Sequence, residues 1–485
     1  MRKLLSRSNF RKLSIINLLF YSKSEYVEKQ FILDKMEITM KTLNKDISEI
    51  NEFYATFQFK IEVYQKNLLY LKKAPEVLLN NALLGSYMIY NSDIYNISKL
   101  AFRIKPDFVE QVVEFAGISK SSAYSRLEEF DDVLAANSLF LDRSPLNIVG
   151  NELNIRFFYF HLFEKSYPFS GWEIPEVDLE HIYSFIEKLA PYMGIYLSPI
   201  AKIDYAIAIS VCLVRIRDGY YVKLTAQERK AVTEFAHLYS FSNIDFTELE
   251  TSIGGISLPD TERHLIILSL RLTSFTFFDD SKVQRILDYN KQFRPSRYLL
   301  AEEIAKVAGA DYKDLEMLKA ELLAYFSKFT FLEKAAQITD IDYFSRLTAP
   351  DQAIQKRLQH IIDEASHDKD LIFVRKNKGV ILAYVYEFVH VAMLSKNVAN
   401  SIKIKVLSKK GPVWEQFMKY EIRKRFPEKL VIFSNELNSK EHVIDYDVIV
   451  SDYPAAISHE VPILIWNMPP TKQDLKALET MIYTF

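Results

Sequence analysis

Apolar residues recur at three- and four-residue spacing through most of the chain and change to two-residue spacing only near its end. The first pattern predicts helices and the second strands. Ser8 to Tyr21 reads as a helix with Leu13, Ile16, Leu19 and Phe20 inward. Ser24 with Glu28 marks a second helix ending near Lys35, and a third runs from Thr39 to about Tyr54. Phe57 to Tyr70 alternates enough for a short hairpin. Asp107 to Ala116 supplies another apolar helix through Phe108, Val112, Val113 and Phe115. Gly117 then allows a tight reversal, and Ser119 can cap a following helix by accepting an exposed backbone N–H. Ala123, Leu127 and Phe130 recur at helical spacing and would hold that helix to the body of its domain. A second hairpin follows, with Leu139 to Leu141, a turn around Asp142 to Pro145, and Asn147 to Asn151.

From about Asp178 to Lys396 the pattern is wholly helical, with stretches at Leu179–Ala190, Ile200–Arg217, Ala226–Tyr239, Glu262–Phe277, Leu299–Ala308, Tyr312–Phe326, Pro350–Glu364 and Lys378–Leu394. Helices of this number suit two bundles of about five each, divided near Tyr289 to Arg297. Beyond Ser401 the period shortens. Ile402–Leu407, Leu430–Phe433, Tyr446–Val450 and Ile463–Trp466 read as strands, and Val413–Arg425 and Lys472–Tyr483 as helices. That alternation implies a small, mostly parallel sheet with helices on its faces. The predicted fold is therefore multidomain and mainly α, with units at 1–75, 76–170, 171–290, 291–398 and 399–485.

The helix, Gly-containing turn and capped helix around residue 118 form a helix-turn-helix, whose second helix would lie in the DNA major groove with its first residues on base edges. Lys120, Ser121, Ser122, Tyr124, Ser125 and Arg126 occupy those places. The same template occurs 80 positions upstream, at Ile38 to Ile47. There Ile32, Leu33 and Met36 correspond to Val112, Val113 and Ala116, and Met40, Lys41, Thr42 and Lys45 form the matching polar turn. Each hairpin would then be the wing of a winged helix; Arg143, Asn147 and Asn151 are equally well read as reaching phosphates or the minor groove and as ordinary turn residues. The formal net charge is only −2, so DNA binding must come from local basic surface. Residues 1–75 supply it, with fourteen Lys or Arg, Lys12 among them, against eight acids.

Several classes are excluded by what the chain lacks. The single cysteine, Cys212, cannot form an intrachain disulfide or a cysteine-rich zinc site, which suits a reducing cytoplasm. Arg11 and Lys12 interrupt any apolar signal core, and Val380 to Leu394 is broken by Glu387 and His390 and too short for a bilayer. Eleven glycines leave little from which to build phosphate-cradling loops, and no Walker, H-E-x-x-H or G-x-S-x-G motif occurs. The expectation is a non-enzyme with no cofactor, metal or membrane partner.

Two winged helix-turn-helix units carried by Thr39–Tyr54 and Ser119–Phe130, two helical bundles and a small α/β unit, in that order, resemble the Mga/AtxA-like virulence regulators of Gram-positive bacteria. The resemblance covers essentially the whole chain. It implies a transcriptional regulator, often an activator, that binds promoter double-stranded DNA as a homodimer or higher oligomer. It also implies that the bundles are PRD-like, regulation domains of the type phosphorylated on histidine by a phosphotransferase-system phosphocarrier protein. The C-terminal unit would be EIIB-like and take part in oligomerisation. Candidate phosphorylation sites are His181, His237 and His264 in the first bundle and His360, His367 and His390 in the second. Two departures stand out. The loop where such EIIB components carry a phosphorylatable cysteine is here Ser408-Lys409-Lys410-Gly411, and the helices comparable to the family's histidine positions put Ala208 or Ser210, and Ser269, near those places. The competing reading is a phosphotransferase-system-linked interaction or phosphocarrier module in which the helix-turn-helix units merely pack. An RNA-binding antiterminator is a third, although this N-terminal region is too helical for its β-rich module.

Overall fold

The computed structural model describes residues 4–22, 24–73, 80–105, 107, 109–116, 119–238, 241–308, 315–331, 352–394, 402–426, 431–433, 446–454 and 461–482. Ser6 caps the first helix, α1 (Arg7–Phe20), by accepting the Asn9 N–H, and Leu13, Ile15, Ile16, Leu18 and Leu19 bury one side of it. The predicted second helix starts later than its sequence suggests. Val27–Glu28 form a short strand, β1, and α2 spans Lys29–Met36. The reason is tertiary: Val27 pairs with Leu69, while the Tyr26 ring packs on Tyr64 and Tyr70. Thr39 caps α3 (Met40–Phe53), which buries Leu43, Ile47 and Ile50. The wing consists of β2 (Phe59–Tyr64) and β3 (Leu68–Lys73), joined through Gln65 and Lys66 at φ 45 and 63. Because Tyr64 pairs with Leu68, the loop has three residues, Gln65 to Asn67, of which the first two are left-handed.

The second unit is built on the same plan. Its elements are α4 (Asn81–Tyr90), α5 (Asp93–Arg103), α6 (Val109–Ala116), α7 (Lys120–Ala136), β4 (Leu139–Arg143), β5 (Leu146–Gly150) and α8 (Glu152–Ser170). The 80-residue correspondence holds in three dimensions: Thr39 and Ser119 are both helix caps, and Leu43, Ile47 and Ile50 are buried as are Ala123, Leu127 and Phe130. Ile32 and Val112 are likewise both buried. Phe108, Gly117 and Ile118, on which the predicted turn rests, lie outside the described residues.

The helical middle comprises α9 (Leu179–Met193), β6 (Ile195–Tyr196), α10 (Pro199–Arg217), α11 (Ala226–Leu238), α12 (Thr247–Ser252), α13 (Asp260–Leu268), β7 (Thr276–Phe277), α14 (Asp280–Phe293), α15 (Pro295–Val307), α16 (Leu315–Phe331), α17 (Gln352–Ala365), α18 (Ile372–Lys376) and α19 (Lys378–Leu394). It is not wholly helical. The predicted Glu262–Phe277 helix stops at Leu268, passes through a 3₁₀ turn and ends as β7, which pairs antiparallel with β6. Gly194 makes this pairing possible: it stands at φ 67, and a Cβ there would lie 2.7 Å from the Asp279 side chain. The predicted break near Tyr289 to Arg297 narrows to Arg294 and Pro295, because α14 continues to Phe293 and packs on α15 and α16.

At the C-terminal end are β8 (Ile402–Leu407), α20 (Pro412–Arg425), β9 (Val431–Phe433), β10 (Val448–Ser451), β11 (Ile463–Ile465) and α21 (Lys472–Ile482). The sheet order is β11-β10-β8-β9, and each neighbouring pair is parallel. Trp414, Phe417, Met418, Val448, Val450, Trp466 and Leu478 give this unit its own apolar core. A larger apolar cluster runs from Leu4 to Ala392 and takes in Ile465 of β11. Among the described residues no helix is long and apolar enough to cross a membrane.

Candidate nucleic-acid interface and the interdomain junction

The first turn of α7 is a polar, exposed surface held by its cap. Ser119 Oγ accepts the Ser122 N–H at 3.2 Å and lies 3.1 Å from Ser121 Oγ. Lys120, Ser121, Ser122, Tyr124, Ser125 and Arg126 are all exposed, whereas Ala123 and Leu127 between them are buried. The stripe follows from helical period: seats every three to four residues turn the remaining positions outward. On α3, Met40, Lys41 and Lys45 are exposed and Thr42 is half-buried. Among the described residues, these two helical turns are the candidate groove contacts.

Ion pairs decide how free the expected basic contacts are. Arg126 Nε lies 3.0 Å from Asp93 of α5, with Glu129 3.6 Å from its Nη1, so base contact requires exchange of these partners. Arg143, at the wing turn, is bonded to Asp131 of α7. Lys12 is displaced from its expected role: its ammonium, mostly buried, bonds Glu49 of α3 at 2.5 Å. Beside it Arg11 holds the buried Asp46 carboxylate in two bonds of 2.6 and 2.9 Å. Asn147 donates to the Tyr220 hydroxyl at 3.3 Å, and Asn151 caps α8 by accepting from Leu153 and Asn154, which fits the reading of both as turn residues.

The histidines are dispersed. His181 lies 3.2 Å from Asp178 at the start of α9, His264 packs its ring against Phe241, and exposed His360 lies 3.3 Å from Glu364. His367 is exposed. The side chains of His237 and His390 lie outside the described residues. A histidine that periodicity did not single out, His161, stands on α8 at the centre of the molecule, where burial pushes its pKa down and favours the neutral ring. α8 is apolar on nearly every side, with Phe157, Phe158, Phe160 and Phe163 all buried, so no amphipathic period marks it.

At that centre the α/β unit is fastened to the rest. Lys409, on the loop after β8, inserts its ammonium 2.7 Å from Glu164 Oε1 and 3.5 Å from Asp204 Oδ1, over the Tyr453 ring at 4.3 Å. Its backbone N–H and the Ser408 hydroxyl donate to Asp452 at 2.7 and 2.9 Å. Gly411, at φ 94, passes so close to Ser274 that a Cβ would lie 2.3 Å from that side chain. Asn80, the cap of α4, donates to the Asp452 and Trp466 carbonyls at 3.0 and 2.6 Å, and the Tyr21 hydroxyl donates to the Met468 carbonyl at 2.8 Å. Replacing Asn80 with alanine removes a helix cap and leaves two buried carbonyls unpaired. A loss of about 2 to 4 kcal/mol is expected in urea unfolding, with earlier proteolytic release of the C-terminal unit.

Residues 79–163, which include α4 to α7 and the second wing, match a family model described as the Mga helix-turn-helix domain. The chain is 24% identical over 455 residues to a capsule synthesis positive regulator, AcpB, of Bacillus anthracis, covering 90% of this chain and 91% of that protein. It is 21% identical to a second capsule synthesis positive regulator, AcpA, of the same organism, covering 92% and 94%. To the anthrax toxin expression trans-acting positive regulator of Bacillus anthracis it is 20% identical over 487 residues, covering 96% and 97%.

Proposed function

Because the chain belongs to the Mga/AtxA-like family of transcriptional regulators, we propose that it activates transcription by presenting α3 and α7 together to promoter DNA. The observation that carries this is the paired, capped, exposed helix turn at Thr39–Lys45 and Ser119–Arg126, repeated at 80 residues on two winged units. Lys120, Ser121, Ser122, Tyr124 and Arg126 read the major groove, Arg143 meets a phosphate from the wing, and Met40, Lys41, Thr42 and Lys45 serve a second groove segment. Short side chains predominate on both turns, so much of the selectivity comes from DNA shape rather than base edges. A homodimer or higher oligomer, joined in part through the α/β unit, sets the spacing of the paired units. The helical bundles tune the equilibrium, and phosphate added to an exposed histidine such as His360 by a phosphotransferase-system carrier shifts it through new charge. The loop from Ser408 to Gly411 acts in this reading as a clamp, since its polar groups are bonded to Asp452 and Glu164.

Binding to a duplex selected from a random-sequence pool and to an unrelated duplex, across a salt series, tests the reading. Replacing Lys120 or Arg126 with alanine should weaken binding by about 1 to 3 kcal/mol if a base is contacted, while losing a phosphate contact should lower the salt slope by about one. The triple variant K120A/S121A/R126A should bind both duplexes alike. Undiminished, selective binding by that variant would move the reader to α3, and absence of binding by the parent protein would sink the proposal.

A further inference from the structure

A cavity of about 300 Å³ lies where α4, α8, α10, α16, α19 and the loop at Lys409 converge. That volume is at the lower end of small-molecule sites. Its polar end is unusual for what it leaves unbonded. Glu164, Asp204 and Tyr453 are each about 95% buried, yet Glu164 Oε2, Asp204 Oδ1 and the Tyr453 hydroxyl make no hydrogen bond to the protein. Neither does either ring nitrogen of His161, whose Nδ1 lies 3.7 Å from Glu164 Oε2. Buried polar groups of this kind are ordinarily satisfied, so four converging on one cavity define a demand for a partner.

The inventory of atoms says which kind of partner. Three lysines line the space, but Lys165 and Lys409 both approach Glu164 Oε1, at 3.3 and 2.7 Å, and the Lys410 ammonium lies over the Trp414 ring at 4.8 Å. The spare capacity is weighted to acceptors: two carboxylate oxygens, the Tyr453 hydroxyl oxygen and one imidazole nitrogen, against the Tyr453 O–H and one His161 N–H. Asp204 has Lys409 only at 3.5 Å, and the Glu164 carboxylate shares that cation. Lys165 and Lys409 both sit on the Oε1 side of Glu164, so what Glu164 Oε2 and Asp204 Oδ1 lack is a hydrogen-bond donor of their own. Tyr325 and Tyr384, stacked at 3.6 Å between ring centres, also line the cavity.

We propose that this cavity binds a small primary amine with an apolar or aromatic body, its ammonium donating to Glu164 Oε2 and Asp204 Oδ1 and its body lying against the Tyr325–Tyr384 wall. Occupancy would tie α8, which directly follows the second wing, to α10, α16 and α19 through one ligand. The inference stands on the junction and is independent of any reading of DNA contacts.

Three probes of one shape test it on the full chain: phenethylamine, phenethyl alcohol and phenylacetate. Thermal unfolding and saturation-transfer NMR are followed for each. Phenethylamine should raise the unfolding midpoint in a saturable way and show transfer, and the other two should do neither. Asp204→Asn, which keeps the shape and removes the charge, should weaken the amine's apparent Kd about tenfold or more, as loss of a charged hydrogen bond would. Equal or stronger binding of phenylacetate would show that the lysines set the site's preference and would overturn the proposal. An amine response unchanged in the Asp204 variant, or no transfer from any probe to the parent protein, would overturn it too. Should the Asp204 variant fold poorly, Tyr325→Ala is the second variant, and undiminished amine binding there would refute the predicted pose.

Discussion

Replacing Arg156 with alanine is expected to destabilise the protein by about 3 to 5 kcal/mol, because it strips the partner from a buried charge. Arg156, on α8, bonds Glu262 of α13 at 2.6 and 3.2 Å, Glu152 at 3.1 Å and the Tyr220 carbonyl at 3.0 Å. Glu152 in turn holds Arg215 of α10 in two bonds of 2.9 and 2.7 Å, with the Arg215 guanidinium stacked 3.8 Å over the Tyr220 ring. Arg156, Arg215 and Glu262 are each at most 5% exposed, so water cannot replace a lost partner. Glu262 also accepts the Val222 N–H at 2.7 Å, and its deletion would orphan that donor. The network joins the second winged unit to the first bundle. Urea unfolding of R156A, E262Q and the double variant gives the coupling energy, expected at about 1 to 3 kcal/mol. Additive losses would mean that the two side chains are stabilised separately.

A second large effect is expected from Glu387→Gln, and it depends on pH. Glu387 sits in the interface between α19 and α20, 1% exposed, with neither carboxyl oxygen hydrogen-bonded. Burial pushes its pKa up to about 8, Lys410 opposes the rise, and the Glu421 carboxyl, itself raised by burial, adds to it. The folded protein therefore keeps Glu387 protonated where the unfolded chain has already released the proton. Its contribution is fully present below the ordinary value of 4.5 and is lost as pH rises toward about 8. Each pH unit in that window costs up to about 1.4 kcal/mol. Glutamine is neutral throughout. The variant should match the parent at the acid end of the window and exceed it by several kcal/mol at the alkaline end, read from denaturant midpoints at several pH values. A difference independent of pH would show that Glu387 does not titrate in this range.

Much of the architecture was legible because it is encoded locally. Thr39 and Ser119 cap their helices through their own side chains, and Leu43, Ile47 and Ile50, like Ala123, Leu127 and Phe130, recur at the spacing of a helix face. The change to strands after Ser401 was equally plain, since β8 alternates isoleucine with lysine and β10 is a short buried apolar run. Errors arose where a distant partner overrode local preference. Val27 became a strand because Leu69 was opposite it, and Thr276–Phe277 left a helical run to pair with Ile195–Tyr196. The helix α8 is masked for a different reason: its buried positions run all round it and include Arg156 and Glu164, so no separate polar face sets a period.

By itself, then, the sequence determined the capped helices at Thr39 and Ser119, their exposed polar turns and the α-to-α/β order, since caps and apolar spacing act over a few residues. Only the tertiary structure decided which charges remain available. Lys12 belongs to Glu49, Arg126 is held by Asp93, and Lys409 is spent on Glu164 in the middle of the molecule. An ion pair is chosen by proximity in space and by the loss of water around it, and neither quantity is written in the spacing of residues along a chain.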